Sequence, residues 1–184
     1  SMEQFRLRGK DKLDDVARKA GLQLPRTKVI TSPEMIPPAI EELGLPVMVK
    51  GIFYKAYRAG TLGEVFQHHG ELVAEWGYPV IIQEVVAGDE LNAVGLGDGD
   101  GGTLGIVGIK KIMVTSLGKI WTGVTIKHDR MLAAARAFVA EHRWRGPFEL
   151  ECIARGDDVY LIEVNPRFPA WSYFATGVGI NLPS

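Results

Sequence analysis

Hydrophobic residues recur along this chain with two different periods, and the change of period organises it. Over residues 11–20, Leu13, Val16, Ala17 and Ala20 fall on one helical face, and Gly21 is placed to end the helix. Over residues 33–43, Met35, Ile36, Ala39, Ile40 and Leu43 repeat the pattern, with Gly44 and Pro46 behind it. The Pro37-Pro38 pair there predicts a short helix or a proline-broken one. Residues 61–76 open on Thr61 and Glu64, a capping box, and carry Leu62, Val65, Phe66, Leu72, Val73 and Trp76 as an apolar stripe. Between these helices, short apolar runs at 28–31, 47–50 and 80–86 read as strands.

After residue 84 strands dominate. Residues 90–96, 104–115 and 120–127 read as strands joined by Asp98-Gly99-Asp100-Gly101-Gly102 and Ser116-Leu117-Gly118-Lys119, both hairpin signals. Residues 129–142 read as a helix capped by Asp129, with Leu132, Ala135, Phe138, Val139 and His142 inward. Residues 148–154 and 159–165 form one more hairpin, and the tail from Pro166 is aromatic and glycine-rich without a clear period. The expected fold class is α+β, in two lobes, 1–83 and 84–184.

The last hairpin carries the chemistry. Side chains alternate faces along a strand, so Glu149 and Glu151 share a face, as do Glu163 and Asn165. A three-residue loop at 156–158 pairs Arg155 with Val159 and sets Glu151 opposite Glu163 and Glu149 opposite Asn165. The other face is then Leu150, Cys152, Ala154, Tyr160, Ile162 and Val164, which suits a core; a two-residue loop mixes polar with apolar, so the pattern selects the odd loop. Like charges directly opposite are destabilising, and a cation between Glu151 and Glu163 removes the penalty. Hard oxygen ligands suit Mg²⁺, which takes one or two carboxylates plus phosphate oxygens and water. Asn165 adds a neutral oxygen, and Arg167 a charge suited to a phosphate or carboxylate. A solvated strand face explains the alternation equally well, but not the Asn165-Pro166-Arg167 that follows it.

Composition narrows the classes. A length of 184 residues suits one domain or two small lobes. A formal net charge of −1 argues against broad attraction to nucleic acid or anionic membrane. The one cysteine, Cys152, excludes an internal disulfide framework and points to a reducing cytoplasm. No apolar run approaches the ~18 residues of a membrane helix, and no charged-then-apolar leader opens the sequence. Ser1-Met2 reads as a cloning scar, so an excised piece of a longer chain is expected.

Glu151, Glu163 twelve positions on, then Asn165-Pro166-Arg167, resemble the metal-binding end of the ATP-grasp superfamily. Gly9-Lys10-Asp11-Lys12 with the 20–25 segment resembles that family's opening helix, and Leu45-Pro46-Val47-Met48-Val49-Lys50 its lysine-bearing strand. Val80 to Glu90 resembles its adenine hinge and ribose contact. The order and spacing match over nearly the whole chain, and nearest to the carbamoyl-phosphate synthase and biotin carboxylase type of carboxylate-amine ligase. The resemblance implies ATP held between two α+β lobes, with Lys12 and Lys50 on the phosphates. It implies Glu84, Val85 and Val86 offering backbone groups to adenine beside Gln83, and Glu90 holding the ribose. Glu151, Glu163 and Asn165 are then the Mg²⁺ ligands, and Arg167 steadies the transferring phosphoryl group. The implied reaction activates a carboxylate with the γ-phosphoryl group and ligates it to an amine or thiol, with small-molecule or peptide substrates. A nucleotide-binding or regulatory module without turnover, and a bicarbonate-activating enzyme like biotin carboxylase, are the alternatives.

Three departures stand beside the match. The family's glycine-rich lid is replaced by an aromatic and basic segment, residues 51–60. Lys55 and Arg58 substitute there as phosphate ligands, or the lid grips a different acceptor. A preceding substrate-binding domain and the usual continuation are both absent, so flanking domains or subunits are expected. Elsewhere, Lys110 and Lys111 are strand neighbours, so at most one faces a nucleotide. His68 and His69 do not converge on one metal, and His128 reads as a surface residue. Cys152 reads as a buried thiol and Arg143-Trp144-Arg145 as a solvated helix end.

Overall fold

The computed structural model describes residues 13–52, 55–115 and 120–182. Chain contacts divide it into two units, residues 25–86 and residues 1–24 with 87–184. The sequence expectation placed the first helix with residues 25–83; in the structure it packs on the larger unit instead. Helix α1 (Leu13–Lys19) buries Leu13, Val16 and Ala17 in that unit's core. Gln23 then ties the following segment to the last strand, accepting from Leu161 N–H at 2.8 Å and donating to Val159 O at 2.9 Å.

The smaller unit is an antiparallel sheet in the order β1 (Thr27–Ile30), β4 (Val80–Glu84), β2 (Val47–Lys50), β3 (Ala56–Ala59). A 3₁₀ turn at Pro33–Met35 leads into α2 (Ile36–Leu43), so Pro37 and Pro38 fall in the first turn, where a missing N–H costs no intrahelical bond. Helix α3 (Leu62–Trp76) begins on the expected capping box, with Thr61 Oγ1 accepting from Glu64 N and the Glu64 carboxylate accepting from Thr61 N. One face of the sheet, with Val47, Val49, Val80 and Ile82, packs against Ile36, Ala39, Leu43, Val65 and Leu72 of the two helices. The aromatic and basic lid segment contains strand β3, which pairs with β2. Phe53 and Tyr54 of that segment lie outside the described residues.

The larger unit is a five-stranded antiparallel sheet in the order β7 (Ile120–Ile126), β6 (Thr103–Val114), β5 (Asp89–Asp98), β8 (Arg145–Arg155), β9 (Asp158–Asn165). The β5–β6 turn is closed by Asp98, whose carboxylate accepts from the N–H groups of Asp100 and Gly102. The β6–β7 turn at 116–119 lies outside the described residues. Helices α1 and α4 (Asp129–His142) cover one sheet face, with Met131, Ala134, Ala135, Phe138 and Val139 buried against Leu91, Ala93, Phe148, Leu150 and Cys152. The cap of α4 is not Asp129 but His128, whose Nδ1 accepts from Met131 N. At the helix end Arg143 and Arg145 are exposed, but Trp144 between them is not. Arg143 turns left-handed at φ +44°, which drives Trp144 into the core at 1% exposure, against Phe138. Burial of one large aromatic outweighs the strain of one left-handed residue. A short helix, α5 (Tyr173–Gly177), lies in the tail, where no period was read. No helix of the described residues is long and apolar enough to cross a membrane.

Candidate active site

The β8–β9 hairpin reaches the expected pairing by an unexpected route. Arg155 pairs with Asp158 across a two-residue loop, with Gly156 at φ +59°, so the three-residue loop is not formed. A β-bulge between Glu151 and Cys152 leaves Ile162 unpaired and restores the register beyond it, Glu151 opposite Glu163 and Glu149 opposite Asn165. A bulge places two residues opposite one and so exchanges the faces of the strand. Before it Val159 and Leu161 point into the core, and after it Val164 does. The expected core residues Tyr160 and Ile162 are displaced from that cluster for this reason. The tight turn and the apolar pattern are thus both satisfied, at the cost of one unpaired residue.

Alternation then assembles one polar face. Leu91 and Ala93 of β5 face the helices, so Glu90, Asn92 and Val94 face the other way. Asn92 pairs with Glu151 in register and Val94 with Glu149. At one end this face is apolar: Val94, Val107 and Ile109 are covered by Trp171, Ala175 and Leu182 of the tail. At the other end it holds Glu90, Lys111, Glu151, Glu163 and Asn165.

The hydrogen bonds there are dense. Glu149 is 3% exposed, and its Oε1 accepts from Asn92 Nδ2 at 2.7 Å and Trp171 Nε1 at 2.8 Å. Asn165 Nδ2 donates to Glu149 Oε2 at 3.3 Å and Glu151 Oε1 at 3.1 Å. Arg167 Nη1 lies 3.7 Å from Glu149 Oε2. Lys111 Nζ bonds Glu151 Oε2 at 3.0 Å and lies 3.4 Å from Glu90 Oε2. Burial, and next the charge of Glu151, push the Glu149 carboxyl above its ordinary range, against the opposing donors. Burial pulls the Lys111 ammonium down, but Glu151 and Glu90 together leave it raised, so it is charged. The strand pair of lysines is therefore resolved: Lys111 joins the carboxylates, and Lys110 turns to Asp89 at 2.7 Å.

Among the described residues no group of three or more His, Cys, Asp or Glu side chains is arranged to hold a metal. The oxygen set is smaller, two opposed carboxylates and the Asn165 amide, and it suits Mg²⁺, whose shell is otherwise completed by phosphate oxygens and water. One further observation fits an added polar group. Asn92 is 1% exposed, and its Oδ1 has no hydrogen-bond partner among the described residues. A buried acceptor without a donor is costly, and a metal-bound water is a donor.

In the smaller unit, alternation puts Met48 and Lys50 of β2 beside Ile81 and Gln83 of β4, on the sheet face away from the helices. Lys50 is 9% exposed and donates to Gln83 Oε1 at 2.5 Å, while Gln83 Nε2 donates to Thr27 Oγ1 at 2.9 Å. The Glu84 carboxylate is held by Arg26, through Nε at 2.7 Å and the backbone N–H at 2.9 Å. The Glu84 N–H itself bonds Arg26 O. Val86 is buried, and Val85 half-buried. In the lid, Lys55 spends its ammonium on Glu75 of α3 at 2.5 Å. Lys12 lies outside the described residues.

Asn92 is missed from the sequence, and Glu149 and Trp171 carry no role there, although the strand pattern already sets Glu149 opposite Asn165. Asn92 could have been found from its spacing, two positions after Glu90 on the same strand face. The indole of Trp171 lies in the tail without periodicity, and no local signal aims it at Glu149.

No protein-family model matches the chain. Among solved structures, it superposes on the biotin carboxylase domain of the Hydrogenobacter thermophilus 2-oxoglutarate carboxylase, crystallised with MgADP and bicarbonate. The TM-score is 0.79 at 14% identity, over 96% of this chain and 43% of that one. D-alanine–D-alanine ligase from Bacillus anthracis, complexed with ATP, gives 0.71 at 18% identity, over 95% of this chain and 60% of that one. A RimK domain ATP-grasp protein from Sphaerobacter thermophilus gives 0.69 at 20% identity, over 94% of this chain and 64% of that one. The chain spans about half the length of these structures. It has the ATP-grasp fold.

Proposed function

We propose that this chain is the nucleotide-handling part of an ATP-dependent ligase that activates a carboxylate as an acyl phosphate and passes it to an amine or thiol. The observation that carries this reading is the pairing of Glu151 with Glu163, with Asn165 and Arg167 just beyond, in a chain of ATP-grasp fold. MgADP and ATP in the solved structures support Mg·ATP as the nucleotide. Glu151, Glu163 and Asn165 are the proposed Mg²⁺ ligands. Bound there, the ion would neutralise phosphate charge as it develops.

The protein's own groups supply the rest. Arg167, more than half exposed and beside Glu149, is the proposed contact of the transferring phosphoryl group, which a planar fork of donors grips on two oxygens. The γ-phosphoryl bond to ADP breaks as a carboxylate oxygen bonds phosphorus. The amine or thiol then attacks the acyl carbon, and phosphate leaves with the bonding electrons. Lys50, already desolvated beside Gln83, is the proposed phosphate contact of the smaller unit, with Lys12 as a second. The backbone groups of Glu84, Val85 and Val86 are the proposed adenine contacts, beside Gln83, and Glu90 the ribose contact. The partners are a carboxylate and an amine of small-molecule or peptide size, in the cytoplasm, with flanking domains that complete the acceptor site.

A second reading, a nucleotide-binding module without turnover, is favoured by one observation: Lys55, the lid's candidate phosphate ligand, is occupied by Glu75. Thermal melting with and without Mg·ATP, beside Glu163→Gln, is the first test. A ligand at 100 times its dissociation constant adds about 2.7 kcal/mol. The expected result is a magnesium-dependent rise of several degrees that Glu163→Gln diminishes. Absence of any rise at millimolar Mg·ATP would sink both readings, and a rise without acceptor-dependent ADP release would favour the module.

A further inference from the structure

Four donors converge on one carboxylate that has no role in the scheme above. Three come from a single segment: Asn165, Arg167 and Trp171. The fourth, Asn92, comes from the neighbouring strand. The two oxygens of Glu149 divide the work. Oε1 takes Asn92 and Trp171 at 2.7 and 2.8 Å, bonds that fix the carboxylate and pin the tail to the sheet. Oε2 faces Asn165 Nδ2 at 3.3 Å and Arg167 Nη1 at 3.7 Å, the proposed metal and phosphoryl residues. Both hydrogens of the Asn165 amide are committed, one to Glu149 and one to Glu151, which fixes the plane of the amide and the direction of its oxygen.

We propose that Glu149 is a positioning residue: anchored through Oε1 by Trp171 and Asn92, it sets the orientation of Asn165 and Arg167 through Oε2. This rests on the ligase reading for its consequence in turnover, but not for its geometry. It touches neither nucleotide nor metal in the scheme, and it acts only through its neighbours.

Glu149→Gln separates the two halves of the carboxylate. The isosteric amide keeps an acceptor for Asn92 and Trp171, the shorter bonds, and turns its NH₂ toward Asn165 and Arg167, where donor meets donor. Side-chain ¹⁵N NMR of the protein without ligands reads the result. The Trp171 indole N–H should keep its slow solvent exchange, while the Asn165 amide pair and the Arg167 Nε–H resonances move. Unmoved Asn165 and Arg167 resonances would overturn the proposal. If Glu149→Gln does not fold, Trp171→Phe and Asn92→Ala loosen the same carboxylate from its anchor side. Asn165 and Arg167 resonances that stay fixed in both would overturn it equally. In turnover, kcat should fall about 10- to 100-fold, the scale of a misplaced reacting group, with the KM for ATP within about twofold. An unchanged kcat refutes the positioning role, whereas a wild-type protein that ignores Mg·ATP refutes the ligase reading and leaves the NMR comparison to decide on Glu149.

Discussion

At the scale of single residues, burial decides what each group can do. Cys152 sits on the core side of β8, and burial pushes its thiol up to about 12. A thiolate is the nucleophile in disulfide exchange, so a thiol-reactive dye at pH 8 should leave the native protein unlabelled. It should react fully after urea unfolding; rapid native labelling would contradict the packing. Lys50 is the opposite case, a charge kept in a nearly buried position beside Gln83. A buried ammonium is expensive to desolvate, and a polyanionic ligand offsets that cost. Lys50→Met should therefore weaken Mg·ATP binding at least tenfold by calorimetry. Equal affinity would move the phosphate contact elsewhere.

At the scale of elements, most of what could be read came from short-range chemistry. The capping box at Thr61 and Glu64 stands as expected, because both partners lie within one turn. Thr61→Ala should cost about 1 kcal/mol, read as a lower urea midpoint for the smaller unit. The Glu151–Glu163 pairing was legible because strand period and loop parity constrain each other, yet the loop was misread. Pattern alone cannot tell a longer loop from a tight turn with a bulge, since both shift the register by one. Gly156 carries the tight turn at φ +59°, so Gly156→Ala should destabilise the hairpin by about 1 kcal/mol. Trp144, β3 and the indole of Trp171 were not legible, because each is placed by tertiary packing. The polar half of the site was read from Glu151, Glu163, Asn165 and Arg167. Glu149 was already placed opposite Asn165 by the hairpin, but its support by Asn92 depends on which strand lies beside β8, which no local pattern states.

At the scale of the whole molecule, acid should act through two histidines. His69 of α3 and His142 of α4 are both held below the ordinary value, His69 by burial and His142 by burial and then by Lys19. Each has a ring nitrogen buried without a partner among the described residues. The unfolded chain takes up these protons first, so the stabilisation is fully present above about pH 6.5 and declines as pH falls below it. Melting between pH 7.5 and 5.5 should show this loss, reduced in His69→Gln and in His142→Gln; a flat profile in wild type would contradict it. The division into units has a different consequence. Residues 25–86 are one uninterrupted stretch, and its two ends run side by side, since Thr27 of β1 pairs with Gln83 of β4. Paired strands lie about 5 Å apart, so this stretch begins and ends at one place, on its own sheet. The excised stretch could therefore be circularised: a short glycine linker across its hairpin-like ends would turn residues 25–86 into a ring without disturbing a strand.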